Sequence, residues 1–392
     1  MERHYGMDWL RIGAFALLIL YHVGMVFVPW GYHVKTAHPA DWVAIPMLFT
    51  NAWRLTLLFL VSGFASRVLL ARSDRVGTFL RNRTARLLVP LAFGMAVIVP
   101  PQSWVELVGK HGYGHDYWWF WTRDYFRFGA LDGIILPTWN HLWFVVYLWV
   151  YTLALAAAAM LPVRLQPAFD RVFGGRGALW VPLAYLILFQ VVLFRRGIET
   201  HDLVGDGIAH LAYFPAFLFG FGIAGSRAAM ASFARMWLPA GILALAAYGV
   251  VGGCEAGWPG NAVAPHWIRE AVAVAREVQT WASIAALIGV AGRFLNRDHP
   301  WRATLTEAVF PFYIIHQTAI VLGEWMLLPL HLPAAAEFAI LVAGTVAACW
   351  TFYLAGREIG WLRPLIGLRP AARAKRIGPL SPSAGGSATA NP

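Results

Sequence analysis

Apolar runs of about 20 residues, divided by short polar stretches rich in Arg, Gly and Pro, recur from residue 8 to residue 355. Each run has the length a helix needs to cross a hydrocarbon core roughly 30 Å thick, and the alternating pattern of barrel strands is missing. The pattern predicts an all-α fold, a polytopic membrane helical bundle. Ten spans are expected, at about 8–29, 43–66, 87–103, 139–160, 179–195, 207–224, 237–253, 272–292, 306–327 and 334–355. An even number puts both termini on one side. Lys and Arg gather in the N-terminus, the alternate loops and the tail, which the positive-inside rule assigns to the cytoplasm.

No internal repeat, no hydropathy symmetry and no pair of Gly/Pro-broken spans is visible, so residues 1–358 are expected to form one membrane domain. Residues 359–392 form a tail, basic at first and then small and polar, whose last part is expected to be disordered. The first apolar segment has Pro29 and Trp30 where a small-residue cleavage site would be sought, so it is expected to stay as a helix. Composition agrees with the pattern, since 59% of the 392 residues are hydrophobic and only 13% are charged. The net charge of +11 is spread over short loops and a tail, and no nucleic-acid partner is expected. Cys254 and Cys349 form no framework and the histidines lack ligand spacing, so neither a disulfide nor a metal site is expected.

Against this apolar background the polar residues inside the spans stand out. Arg11 and His22 lie in the first span, on nearly the same helix face and roughly 16 Å apart along it. An arginine deep in a span costs about 2.5–3.5 kcal/mol, so it should face the bundle interior and meet a partner or a ligand. The plainer reading is an Arg11 that snorkels and a His22 satisfied in the core. Asn51 and Arg54 on the second span, Asn140, His141 and Trp143 at the start of the fourth, and His316 within PFYIIHQ on the ninth should lie at similar depth and converge in one half of the bundle. The loop at about 104–138 carries HGYGHDYWWFWTRDYFRF, and its rings beside charged groups make it a candidate acceptor surface as well as a membrane-interface anchor.

The Arg-x10-His spacing of Arg11 and His22, the LLFLVSGF run at 57–64, the Arg83/Arg86 pair leading into Pro90, the HLWF element and the late YIIHQ segment occur in order between about residues 5 and 355. Together they resemble the acyltransferase 3 family of integral membrane O-acyltransferases. NHLWF and the arginine before LTLLFLVSGF are similar to the branch of osmoregulated periplasmic glucan succinyltransferases. The resemblance implies a bacterial inner-membrane, multi-pass enzyme of carbohydrate modification. It would transfer an acyl group, acetyl or succinyl, from cytoplasmic acyl-CoA to a hydroxyl of an extracytoplasmic glycan. It also implies that His22 is the catalytic histidine, that Arg11 binds or orients the donor, and that Arg83 and Arg86 are the family's cytoplasmic arginine motif. No bound cofactor is expected; acyl-CoA enters as a substrate, and membrane lipid surrounds the chain.

The chemistry of these residue types fits that expectation. A sugar hydroxyl is a poor nucleophile, and a positioned histidine that takes its proton speeds attack on a thioester by about 10²–10⁴. A histidine can instead carry the acyl group itself. Arg54 is the candidate for stabilising the oxyanion, and His316 is a candidate second acid or base, an acceptor contact or a core histidine. Arg83 and Arg86 suit the phosphates of a CoA donor. Asn51, Asn140, His141 and Trp143 complete the candidate substrate contacts. The competing class is a proton-coupled transporter in which buried Arg and His residues form a relay; the lack of repeats and of broken paired spans speaks against it. The sequence sets no oligomeric state.

Overall fold

The structure, a computed structural model, describes residues 4–162, 165–192 and 199–370. Over its described residues every expected span falls on one helix or on consecutive helices. Eight helical segments among the described residues are long and apolar enough to cross a membrane, and a bent pair makes a ninth. The sixth expected span is a 17-residue apolar helix. In chain order the helices are α1 Tyr5–Phe27, α2 Ala44–Asn51, α3 Arg54–Ala71, α4 Val76–Phe93, α5 Pro100–His111, a single turn α6 Tyr117–Trp119, α7 Trp143–Ala159 and α8 Gln166–Phe173. They continue as α9 Gly177–Val192, α10 Gly207–Ile223, α11 Arg227–Gly257, α12 His266–Phe294, α13 Pro300–Leu327, α14 Ala334–Glu358 and a short α15 Leu362–Leu365.

α1 is central and touches α3, α12, α13 and α14, while α10 packs along α3, α7 along α4, α11 along α12 and α14 along α13. The α3–α10 contact is tight for a reason legible in the sequence. A Cβ on Gly63 would lie 1.8 Å from the Phe217 carbonyl oxygen, and one on Gly220 would lie 1.9 Å from that of Leu60. Two glycines thus let the backbones touch, the usual way to gain packing where lipid supplies no hydrophobic drive. α15 folds back on α4 and α14, with Ile366 and Leu368 buried. The tail expected to be disordered lies outside the described residues.

The second and third expected spans are each interrupted, the third alone at glycine and proline, so no pair of Gly/Pro-broken spans arises from them. The second opens at Ala52–Trp53, between α2 and α3. The break is held by α12, where Gln279 Nε2 donates to the carbonyls of Leu48 and Phe49 at 3.0 and 3.1 Å and Thr280 Oγ1 donates to that of Ala52 at 3.2 Å. The third passes through a π turn, Gly94–Ile98, before Pro100 and Pro101. Proline has no N–H, so carbonyls one turn back are left without helical partners. Trp121 Nε1 donates to Ala96 at 2.8 Å, Tyr125 Oη to Met95 at 2.8 Å, and Thr318 Oγ1 of α13 to Ile98 at 2.7 Å.

Those bonds also correct the picture of residues 104–138 as one loop. Residues up to His111 continue α5, Phe120 and Tyr125 are buried, and a small antiparallel hairpin pairs β1 Gly129–Leu131 with β2 Ile134–Leu136. The segment is folded onto the bundle, and much of its aromatic surface is spent on packing; Asp124 is bonded to Tyr113 and Arg127. Trp118 and Phe128 remain exposed.

Candidate functional site

The chain path puts the start of α1, the end of α3, α8 and α15 at one face of the bundle, here the N-terminal face. A cavity of about 450 Å³ lies toward the opposite face, between α1, α3, the start of α7 and α13. Its lining includes His22, Arg54, Asn140, His141 and Trp143, so residues from three expected spans do converge. The volume is in the range of a small-ligand site.

His22 sits in the last third of α1, one helical turn after Leu18. Its Nδ1 lies 2.9 Å from the Leu18 carbonyl and 3.2 Å from His316 Nε2. His316 is fully buried, and its own Nδ1 donates to the Tyr313 carbonyl at 2.7 Å. A neutral His316 therefore presents a lone pair at Nε2, which accepts the proton on His22 Nδ1. That arrangement fixes the tautomer of His22 and leaves its Nε2 as a basic atom with no partner among the described residues. His316 stands behind His22 and is absent from the cavity lining.

His141 follows the same logic on another element. Its Nε2 donates to the Ile314 carbonyl at 3.0 Å, and its carbonyl accepts from Tyr313 Oη. Its Nδ1 is buried without a partner. The His141 and His316 rings meet edge to face at 5.1 Å. Trp143 stacks on His201 at 4.0 Å and helps wall the cavity.

Arg54 is the first residue after the break in the second span. It is buried, with its guanidinium carbon 3.3 Å from the centroid of the Tyr21 ring, yet its Nε and Nη1 have no hydrogen-bond partner. Asn51 is not on the lining. It acts one layer back, donating to Tyr21 Oη at 2.6 Å and accepting from Arg276 at 2.9 Å. Tyr32 Oη is another buried polar atom of the lining that lacks a partner. Buried polar groups are normally satisfied, so orphan donors and acceptors around one cavity mark a place for a polar ligand.

The wall nearer the opposite face is a hydrogen-bonded chain. Glu106 Oε2 accepts from His33 Nδ1 at 2.5 Å, and Gln317 Nε2 lies 3.0 Å from both His33 Nε2 and Gln102 Oε1. Asn140 Nδ2 also donates to Gln102 Oε1 at 3.2 Å, and Gln102 Nε2 donates to Thr318 at 2.7 Å. Just outside the spans, Lys35 ties the loop after α1 by donating to the Met25 carbonyl at 2.6 Å and to that of Val28. Half-burial, and after it the charge of Lys110, pull Lys35 down to about 8.

Arg11, Arg83 and Arg86 are not in this cavity. They lie within electrostatic range of one another toward the N-terminal face. Arg83 keeps an unpartnered Nε there, while Arg86 also senses Glu307 and Arg369. Glu307 pairs with Arg363 at 3.5 Å. The candidate residues thus divide into a His/Arg54 cavity and an arginine group, with α1 joining them.

Several residues of the site escaped the sequence reading, among them Tyr21, His33, Gln102, His201, Arg276 and Tyr313. Gln317 and Tyr313 belong to the PFYIIHQ segment that had been singled out for His316, so that signal was present. His33 and His201 lie in connections, where spacing carries no information.

Comparison with known proteins agrees with this picture. The Acyl_transf_3 family, described as an acyltransferase domain, matches residues 4–354. The chain is 24% identical over 151 residues to the glucans biosynthesis protein C of Escherichia coli O1:K1, and equally to those of strains O139:H28 and O9:H4. The match covers 38% of this chain and spans only 37% of each relative. No solved structure matches the chain. A family match over nearly the whole bundle, ending inside α14, shows that this multi-pass membrane protein belongs to the acyltransferase 3 family.

Proposed function

We propose that the protein moves an acyl group from cytoplasmic acyl-CoA to a hydroxyl of an extracytoplasmic glycan, at the inner membrane of a bacterium. The observation that carries this reading is one cavity lined both by His22, whose hydrogen bonds are made through Nδ1 and leave Nε2 over, and by Arg54 with its orphan donors. A base beside a fixed cation that keeps free N–H donors is what acyl transfer to a hydroxyl requires. That the relatives are glucans biosynthesis proteins supports a glycan as acceptor.

In this mechanism the acceptor hydroxyl enters from the face of His33, Asn140 and Gln317, and the donor phosphates rest on Arg83 and Arg86. The donor's thin arm follows α1 past Arg11 toward His22, a rise of roughly 16 Å. His22 Nε2 takes the hydroxyl proton as the oxygen attacks the thioester carbon. The oxyanion forms toward Arg54. The C–S bond then breaks, and His22 returns its proton to the thiolate, so that one ester and one CoA thiol appear per turnover. His141 Nδ1, Asn140 and Trp143 are acceptor contacts.

The test is full-length protein in lipid nanodiscs, supplied with acetyl-CoA or succinyl-CoA and envelope glycan. Release of CoA thiol together with an ester-linked mass on the glycan is the expected result. Solute uptake into vesicles without thiol release would replace this reading with a carrier.

His316 is assigned a positioning role through the tautomer of His22. His316→Gln keeps an acceptor oxygen near the Nε2 position and is expected to retain most activity. His316→Leu is expected to lose about tenfold or more in kcat and to shift the acidic limb of the pH–rate profile, because the proton on His22 Nδ1 then has only the Leu18 carbonyl. Equal losses in both variants, with an unmoved profile, would make His316 a packing residue only.

A further inference from the structure

We propose that a second cavity, on the other side of α3, binds one hydrocarbon chain of an anionic glycerophospholipid whose phosphate lies at Arg67. This inference does not depend on the acyl-transfer reading. The cavity is about 910 Å³, twice the size of the His22 cavity, and it lies among α3, α7, α8, α9, α10 and α12. Leu155, Val181, Leu186, Ala216, Phe219 and Trp281 give it an apolar wall. α3 is the partition between the two cavities, with Leu55 on the first and Thr56 on the second.

A hole of this size is not left empty, because every lining atom would lose its dispersion contacts on one side. Water does not fill it, because it would need two to four polar partners that such a wall lacks. Hydrocarbon fills it without that cost, and in a membrane it is at hand.

Apart from Tyr185, whose Oη donates to the Leu211 carbonyl at 2.7 Å, the polar groups of the cavity are arranged along one axis. Arg67 and Gln166 are at the N-terminal face, and Thr56 is at the deep end. Eleven residues of α3 separate Arg67 from Thr56, a rise of roughly 16 Å, close to the half-thickness of roughly 15 Å of a hydrocarbon core. A chain lying along α3 would therefore begin at Arg67 and end near the bilayer centre. α8 lies across the mouth because it meets α9 at 91°, with Phe169 and Phe173 on the cavity.

The charge at the mouth selects the headgroup. The Arg67 guanidinium lies 4.7 Å from the centroid of the Phe221 ring and makes no hydrogen bond among the described residues. Asp170 is within electrostatic range of it, but the Asp170 carboxylate accepts from Gln166 Nε2 at 3.0 Å. An unbonded guanidinium at the interface offers a planar fork of donors that matches a phosphate diester. Its position at the end of the apolar channel makes a lipid phosphate the fitting anion.

The experiment uses the full chain, stripped of lipid in detergent and titrated with phosphatidylglycerol or with phosphatidylcholine of the same chains, read by native mass spectrometry. One phosphatidylglycerol is expected per chain, bound more tightly than phosphatidylcholine. Arg67→Gln should weaken phosphatidylglycerol by about tenfold and narrow the difference between the two lipids. Ala158→Trp, at an exposed position on the lining, should abolish the tight site for both, and Leu218→Trp provides a second filler from α10. Each variant is first checked for wild-type elution in size exclusion. Equal lipid retention in wild type and in both filled variants would overturn the proposal, since the lipid would then be held elsewhere. Unchanged preference in Arg67→Gln would overturn the assignment of the headgroup.

Discussion

His22→Ala is expected to lower ester formation by about 10²–10⁴, with membrane abundance and thermal stability close to wild type. The small stability effect follows from where the side chain is. Its Nδ1 proton is shared between a carbonyl of its own helix and His316, and its other face borders the cavity, so little packing is lost on truncation. The large kinetic effect follows from the role proposed for Nε2, the atom that neither bond engages. The measurement is thiol release and glycan ester mass at equal protein in nanodiscs. Wild-type turnover in His22→Ala would remove His22 from the mechanism even if the enzyme class stood. The same protein separates the two chemical routes. Label bound to wild type but not to His22→Ala, after incubation with labelled acyl-CoA and no acceptor, assigns an acyl-histidine relay; no bound label assigns direct transfer.

What the sequence reveals of this site is what helical periodicity can carry. A 100° step per residue puts Arg11 and His22 on one face, and the run lengths put Arg54 and His316 at the depth of His22; the cavity brings His22, Arg54 and His141 together, with His316 directly behind. The separation of Arg54 from the other three arginines is visible only in part. Arg83 and Arg86 stand out in sequence as a motif that suits a donor's phosphates, but only the bundle shows Arg83 with a buried, unpartnered Nε. Gln102 is hidden for a different reason. It owes its place to the π turn forced ahead of Pro100 and Pro101, which changes the phase of the helix and points Gln102 at Gln317 and Asn140. The double proline marks the irregularity, but its angular consequence depends on which carbonyls find new donors, and those donors come from a segment 25 and 30 residues on and from α13. Residues 104–138 show the converse. Their aromatic density suggests an exposed surface, yet Tyr125 and Trp121 are drawn down by the carbonyls that the prolines freed.

Arg54→Met is expected to lower kcat by about 10²–10³ while leaving KM for the donor within a few-fold, the pattern of an interaction made chiefly in the transition state. Its effect on stability is expected to have the opposite sign. Arg54 is a buried cation whose Nε and Nη1 have no partner, and the face of Tyr21 answers only part of its charge. A charge in that state costs the folded protein desolvation that no ion pair returns, so an apolar side chain of similar length should keep Tm or raise it. A residue kept for structure behaves differently, since its loss lowers Tm and activity together. Tm in detergent and kcat in nanodiscs, measured on one preparation, therefore decide what Arg54 is for. A fall in both would make it a structural clamp between α3 and Tyr21, and oxyanion stabilisation would have to come from elsewhere on the lining. A lower kcat at an undiminished Tm would mean that the fold bears a destabilising charge because the negative charge that answers it appears only while the acyl group is in transit.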